Sequence, residues 1–238
     1  MPTNLLKSIA LWSVFKGLRL PQTSIERVNE LSFLKALLTD LNIGCVLDVG
    51  ANRGQFAGEL RAIGYRGLIL SFEPVRSEFL IMKEHFKSDA EWRGYQIALG
   101  SKEQTLSMSV PRLTVLSSLL EPLTQEKDTR VESVEVKRLD ELLPSLLKDL
   151  DPGGIFLKMD TQGYDLEVFR GASNCMSRIC GIQSELSIQP LYKNMPHYLE
   201  ALQEYEKAGF DLHNLSVVSR TDAGSLLELN CFMRRTAC

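Results

Sequence analysis

The segment Val46-Leu-Asp-Val-Gly-Ala-Asn-Arg-Gly-Gln-Phe56 constrains this chain more than any other. A short apolar run ending at Asp48 reads as a buried strand, and Gly50 and Gly54 then turn the chain into a helix from Gln55 to Ile63. Glycine lets backbone pass close to a ligand, and in an open sheet ligands sit beyond the carboxyl ends of the strands. A nucleotide is expected at this turn.

What is absent narrows its identity. There is no Gly-Lys-Ser/Thr to hold phosphates, and Asn52 stands where a dinucleotide fingerprint needs its second glycine. The acidic Asp48 suits a cationic ammonium better than a pyrophosphate. Glu73, twenty-three residues after Gly50 in Ser71-Phe-Glu-Pro74, is placed to accept hydrogen bonds from both ribose hydroxyls. In Tyr95-Gln-Ile-Ala-Leu-Gly100, Gln96 is expected at the adenine edge, with Ala98 and Leu99 walling its face. The expected nucleoside site is thus Asp48, Gly50, Ala51, Asn52, Gly54, Phe56, Glu73, Pro74, Gln96, Ala98 and Leu99, with Asp160 over it. Each feature alone is ordinary, since a glycine pair after a strand is common packing. Their order and separation carry the inference.

Around this segment the chain alternates strands and helices, which means a parallel sheet. Strands are read at Cys45–Val49, Gly67–Phe72, Tyr95–Leu99, Ile155–Met159 and Ile179–Leu186, with helices at Ser77–Phe86, Tyr164–Arg170 and Pro196–Ala208. Thr105–Val110 and Val131–Val136 look like an antiparallel insertion. Gly209 is placed to end its helix in a left-handed conformation. Asp211–Val218, a turn at Asp222-Ala-Gly224, and Leu226–Met233 form a closing hairpin. Ahead of the α/β domain, 43–238, residues 1–42 read as a helical leader, with helical spacing of Val28, Leu31, Leu34, Leu37 and Leu38. That helix is expected to cover an edge or mouth of the domain. The run Ile9–Phe15 is short, lacks a cleavage pattern and precedes Lys16 and Arg19, so it reads as a packed helix and not as a membrane anchor.

These segments resemble the FkbM family of S-adenosylmethionine-dependent methyltransferases. The likeness runs from about Gly44 to Arg234, through Leu47–Phe56, Phe72-Glu-Pro74, Ala98-Leu-Gly100, Arg138-Leu-Asp140, Leu157–Val168, and Glu185-Leu-Ser with Pro190-Leu-Tyr192. The resemblance implies a class I methyltransferase fold: a Rossmann-like, doubly wound, mostly parallel seven-stranded sheet with an antiparallel last strand. It implies S-adenosyl-L-methionine as cofactor and O-methylation of a sugar, glycolipid precursor or other small hydroxylated metabolite. The family commonly has an acidic residue where this chain has Gln162, and its next acidic position is Asp165; the substitution weakens the case for a metal ligand or base there, and no metal is assigned.

Methyl transfer from a sulfonium is an in-line displacement, so the protein holds the acceptor oxygen and removes its proton. Lys158 and Asp160 share a face of one strand, and Asp160 at its carboxyl end is the first candidate for base or acceptor anchor. Glu185 would complete an acidic pocket with Asp160 that orients hydroxyls or, in the alternative, coordinates Mg²⁺ through carboxylate oxygens; the plain alternative is a salt bridge with Lys158. Among three histidines, His197 is the second base candidate, in the loop after Tyr192, while His85 and His213 read as inert and structural. Ser117, Ser118 and Tyr192 are expected near the acceptor.

Twenty-seven Lys+Arg against thirty Asp+Glu, with pI near 5.7, give no electrostatic footprint for nucleic acid. A nicotinamide dehydrogenase, a non-catalytic module on the same fold and an RNA methyltransferase are the rival readings. Five cysteines without a C-x-x-C pair read as reduced thiols in a cytoplasmic protein. The leading helices suit a homodimer contact and acceptor capping equally.

Overall fold

The computed structural model describes residues 22–124 and 128–235; the run Ile9–Phe15 lies outside them. Helix α1 (Gln22–Asp40) buries Leu34, Leu37 and Leu38, one helical stripe, against the sheet. Then come β1 (Ile43–Val49), α2 (Gln55–Ala62), β2 (Leu68–Phe72), α3 (Arg76–His85) and β3 (Trp92–Tyr95). A small unit of β4 (Ala98–Leu99), β5 (Gln104–Val110) and β6 (Arg130–Lys137) precedes α4 (Leu139–Leu146). The chain finishes with β7 (Gly154–Met159), α5 (Asp165–Arg170), β8 (Ile179–Ser187), α6 (Tyr198–Lys207), β9 (Asp211–Arg220) and β10 (Leu226–Arg234).

The main sheet has seven strands in the order β3-β2-β1-β7-β8-β10-β9, parallel except that β10 runs against both neighbours. This is the doubly wound layout with a reversed last strand expected from the sequence. One sheet face packs Val46, Ile69, Phe156 and Phe232 against α1 and α2. The other packs Leu47, Leu70, Leu157 and Ile182 against α4, α5 and α6. Gly209 has φ +88, the left-handed value its place after α6 requires.

Three readings change. The strand expected over Tyr95–Leu99 is two: β3 ends at Tyr95 in the main sheet, and β4 joins the small sheet, parallel to β6, which is antiparallel to β5. The chain leaves the main sheet because Ala98 buries itself with Met108, Val134 and Val136 in a separate apolar cluster. Helix α4, unread in the sequence, buries Leu139 and Leu143 despite Pro144 inside it, a residue that ordinarily marks a break. Cys45, Cys175 and Cys231 are free and buried; Cys180 is disulfide-bonded, against the expectation of reduced thiols throughout. Among the described residues no helix is long and apolar enough to cross a membrane.

Candidate active site

Beyond the carboxyl ends of β2, β1, β7 and β8 lies a cleft of about 260 Å³. The turn after β1 forms its floor. Gly50 (φ +75), Asn52 (φ +47) and Gly54 (φ +83) all take left-handed backbone. A Cβ on Gly50 would stand 1.9 Å from the backbone oxygen of Asp160, so this glycine first permits the tips of β1 and β7 to touch. Gly54 does not line the cleft; a Cβ there would meet the Phe86 ring at 2.5 Å.

Glu73, at the tip of β2, is 4 % exposed and held by two backbone donors: Asn52 N–H to Oε2 at 2.7 Å and Val75 N–H to Oε1 at 2.8 Å. Burial pushes its carboxyl up to about 7, against the pull of those donors. Each oxygen keeps a further lone pair for a hydroxyl donor. Pro74, Ala98 and Leu99 lie beside it in the cleft, with Met108, Thr114, Val115, Ser117 and Leu119 supplied by the small sheet and its following loop. Asn52 ties that loop down, its Nδ2 donating to Thr114 Oγ1 at 3.3 Å. A carboxylate at one end of an apolar slot, with no Gly-Lys-Ser/Thr turn, fits a nucleoside without phosphates.

Asp48 is not brought to the cleft. It is fully buried, 3.1 Å from Lys158 Nζ, and accepts from Ser71 Oγ at 3.3 Å. One residue short of the strand end, its side chain points into the sheet face that carries Lys158, so the carboxylates at the cleft are Glu73, Asp160 and Glu185 with Glu59 at the rim. Lys158 also donates to the Gly50 carbonyl at 3.1 Å and lies 3.5 Å from Asp160. Burial alone would lower its ammonium, but Asp48 and Asp160 outweigh that and hold it above its ordinary value. A charged lysine has no lone pair to accept a proton; its geometry positions Asp160 and the glycine turn.

The loop after β7 is shaped by Gln162 (φ +52) and Gly163 (φ +90) and fixed by Asp165, whose Oδ1 accepts Thr161 N–H at 2.8 Å and whose Oδ2 accepts Ser184 Oγ at 2.8 Å and Glu185 N–H at 3.1 Å. Asp165 is therefore the buried tie between β7 and β8. Gln162 bridges the two open acids, its Nε2 2.8 Å from Glu185 Oε2 and 3.4 Å from Asp160 Oδ1. Burial, and then the neighbouring Asp160, hold the Glu185 carboxyl well above the usual carboxylate range.

Of the expected residues, Gly50, Ala51, Asn52, Phe56, Glu73, Pro74, Ala98, Leu99, Lys158, Asp160, Ser117 and Glu185 line the cleft. The others, besides Asp48 and Gly54, are placed elsewhere or behind it. Gln96 is exposed outside it, and His197 caps α6, its Nδ1 accepting Leu199 N–H at 3.3 Å. Ser118 is buried behind the wall, donating to the Gln162 carbonyl at 2.8 Å, and Tyr192 Oη sits 2.9 Å from Gln162 Oε1. His85 and His213 also stand away from the cleft, the latter against Phe33.

Arg27, Thr114, Gln183 and Asn230 line the cleft without having been singled out in the sequence. Arg27 comes from α1, which does reach the mouth, and is ion-paired to Glu30 and Glu59. Gln183 carried a signal, a polar residue two before Glu185 in a strand otherwise buried; Arg27 and Asn230 carried none.

A family model described as the methyltransferase FkbM domain matches residues 48–212, well over half of the chain. No curated protein matches it. Among solved structures, magnesium protoporphyrin IX methyltransferase from Synechocystis PCC 6803, with bound SAM, is 9 % identical over 92 % of this chain and 86 % of its own (TM-score 0.49). The 1,6-didemethyltoxoflavin-N1-methyltransferase of Burkholderia thailandensis is 15 % identical over 99 % and 89 % (TM-score 0.46). The methyltransferase domain of bacterial CtHen1 is 11 % identical over 86 % and 97 % (TM-score 0.47).

Proposed function

The chain belongs to the FkbM methyltransferase family, an S-adenosylmethionine-dependent enzyme family, and on that premise we propose that it methylates a hydroxyl of a sugar, glycolipid precursor or other small hydroxylated metabolite. The observation that carries this reading is the pair of carboxyl groups, Asp160 and Glu185, bridged by the Gln162 amide at the tips of adjacent strands. Carboxylates in that place orient hydroxyls and take a proton from one of them.

When bound, S-adenosylmethionine supplies an electrophilic methyl group. Glu73 would hold the ribose hydroxyls, Ala98 and Leu99 would cover the base, and Asp160, beside the Gly50 turn, would hold the acceptor oxygen and accept its proton. Lys158, 3.5 Å away, holds Asp160 in place, and Glu185 orients the acceptor beside it. The net charge of −3 gives no general attraction for a polyanion, which supports a small acceptor over RNA.

The test is incubation of the full chain with radiolabelled S-adenosylmethionine and a panel of glycosides, glycolipid precursors and RNA. Label on a glycoside or lipid oxygen supports the reading; transfer to RNA alone, or to nitrogen, overturns it.

A further inference from the structure

A row of polar side chains crosses the sheet on its α1 and α2 face, in the register Ser71, Asp48, Lys158, Gln183. Such a row is unusual in a parallel sheet covered on both sides. The first members are linked in turn: Trp92 Nε1 donates to Ser71 at 3.1 Å, Ser71 donates to Asp48 Oδ2, and Asp48 Oδ1, with no hydrogen bond of its own, is met by the Lys158 ammonium at 3.1 Å. The chain of contacts stops there. Gln183 is 4 % exposed, faces the cleft, and its Oε1 has no hydrogen-bond partner. An unpaired buried acceptor is costly, and most such groups in folded proteins are matched.

Strand order decides what the group is for. A nucleoside held by Glu73 at β2 and by the glycine turn after β1 would take the part of the cleft over β2, β1 and the Asp160 end of β7. Gln183 and Glu185 on β8, and Asn230 on β10 opposite Glu185, lie one and two strands farther on, at ~4.8 Å each. That would leave this part of the cleft to the acceptor. Resting on the reading of the enzyme as a hydroxyl methyltransferase, we propose that Gln183 Oε1 is a specificity-determining acceptor contact. It takes a hydrogen bond from a second hydroxyl, or an amino group, of the molecule being methylated. Glu185, two residues along on the same face, receives its neighbour. The acceptor is therefore a compound with at least two donors near the methylated oxygen, and a mono-ol is a poor substrate.

The experiment is saturation-transfer NMR on the full chain loaded with S-adenosylhomocysteine, titrated with methyl glycosides and their monodeoxy analogues. Wild type should bind a glycoside and lose about tenfold in affinity for one particular monodeoxy analogue. In Gln183→Leu the parent glycoside should weaken about tenfold while that analogue is unaffected; Gln183→Glu, which keeps an acceptor, should restore binding of the parent. Unchanged affinity for S-adenosylhomocysteine shows that each variant is folded. Equal losses for every analogue in both proteins, or no glycoside binding to wild type, overturn the proposal. Binding with this pattern but no methyl transfer would sink the methylation reading and leave the subsite standing.

Discussion

Lys158 Nζ lies 3.1 Å from Asp48 Oδ1, with the two side chains 6 % and 0 % exposed. Removing one member of such a pair strands the other as a buried charge. Lys158→Met is expected to cost ~3–5 kcal/mol in urea unfolding, while Asp48→Leu combined with Lys158→Met should recover most of that loss. Because the folded ammonium is held above its ordinary value, its contribution is complete below that value and fades only as pH rises through the folded one. The loss should therefore be the same at pH 6 and pH 8, and a double variant as unstable as the single would contradict this account.

Glu73 gives a pH signature to cofactor binding. With its carboxyl near 7, it is about nine-tenths ionised at pH 8 and one-tenth at pH 6. Hydroxyl donors bind the ionised form, so affinity for S-adenosylhomocysteine should fall about tenfold between those pH values, with proton release on binding near pH 7. Glu73→Gln should bind weakly with no such slope. For the ligand-free protein the sign is opposite: the folded state holds this proton above the ordinary value of 4.5, so its contribution to stability declines as pH rises from there to about 7.

Asp160 separates chemistry from binding. Asp160→Asn is expected to abolish turnover, by about 10² or more if it removes the proton acceptor, while S-adenosylhomocysteine affinity measured by calorimetry stays nearly intact. Equal loss of both would place this carboxylate with the cofactor instead.

Two glycines of the same region, Gly50 and Gly58, should respond in opposite directions. Gly50→Ala drives a Cβ to 1.9 Å from the Asp160 carbonyl at φ +75, and is expected to cost ~3 kcal/mol or more and to lose cofactor binding. Gly58, inside α2 with nothing within 4 Å of where a methyl group would stand and with ordinary backbone, should tolerate alanine and gain ~0.5–1 kcal/mol. Thermal unfolding of both variants checks the pair; a stable Gly50→Ala would remove the argument for the contact between strand tips.

What could be read from the residues alone was whatever is encoded locally. The β1 turn, Glu73 at the tip of β2 and Asp160 at the tip of β7 follow from strand patterns whose ends are marked by Gly50, Pro74 and Gly163. Asp48 reads as a cleft residue because it ends an apolar run, yet a period of two sends its side chain into the sheet, and only the register with Lys158 shows this. Helix α4 is not legible because Pro144 falls inside a spacing, Leu139, Leu143 and Leu147, that is otherwise helical. Arg27 and Asn230 had no local mark at all, since each reaches the cleft by tertiary packing of an ordinary stretch. His197 looked chemical in sequence and turned out to serve the backbone of α6.

Glu30 accepts hydrogen bonds from Asn230, two hundred positions away, while also pairing with Arg27. The α1 and β10 sides of the cleft are thus joined by a contact that exists only when β10 is paired between β8 and β9. A nascent chain halted before Leu226 would own the glycine turn and Glu73 but no enclosed chamber, so tight retention of ligand becomes a reporter of completed folding, and the ligand in turn stabilises only the finished form.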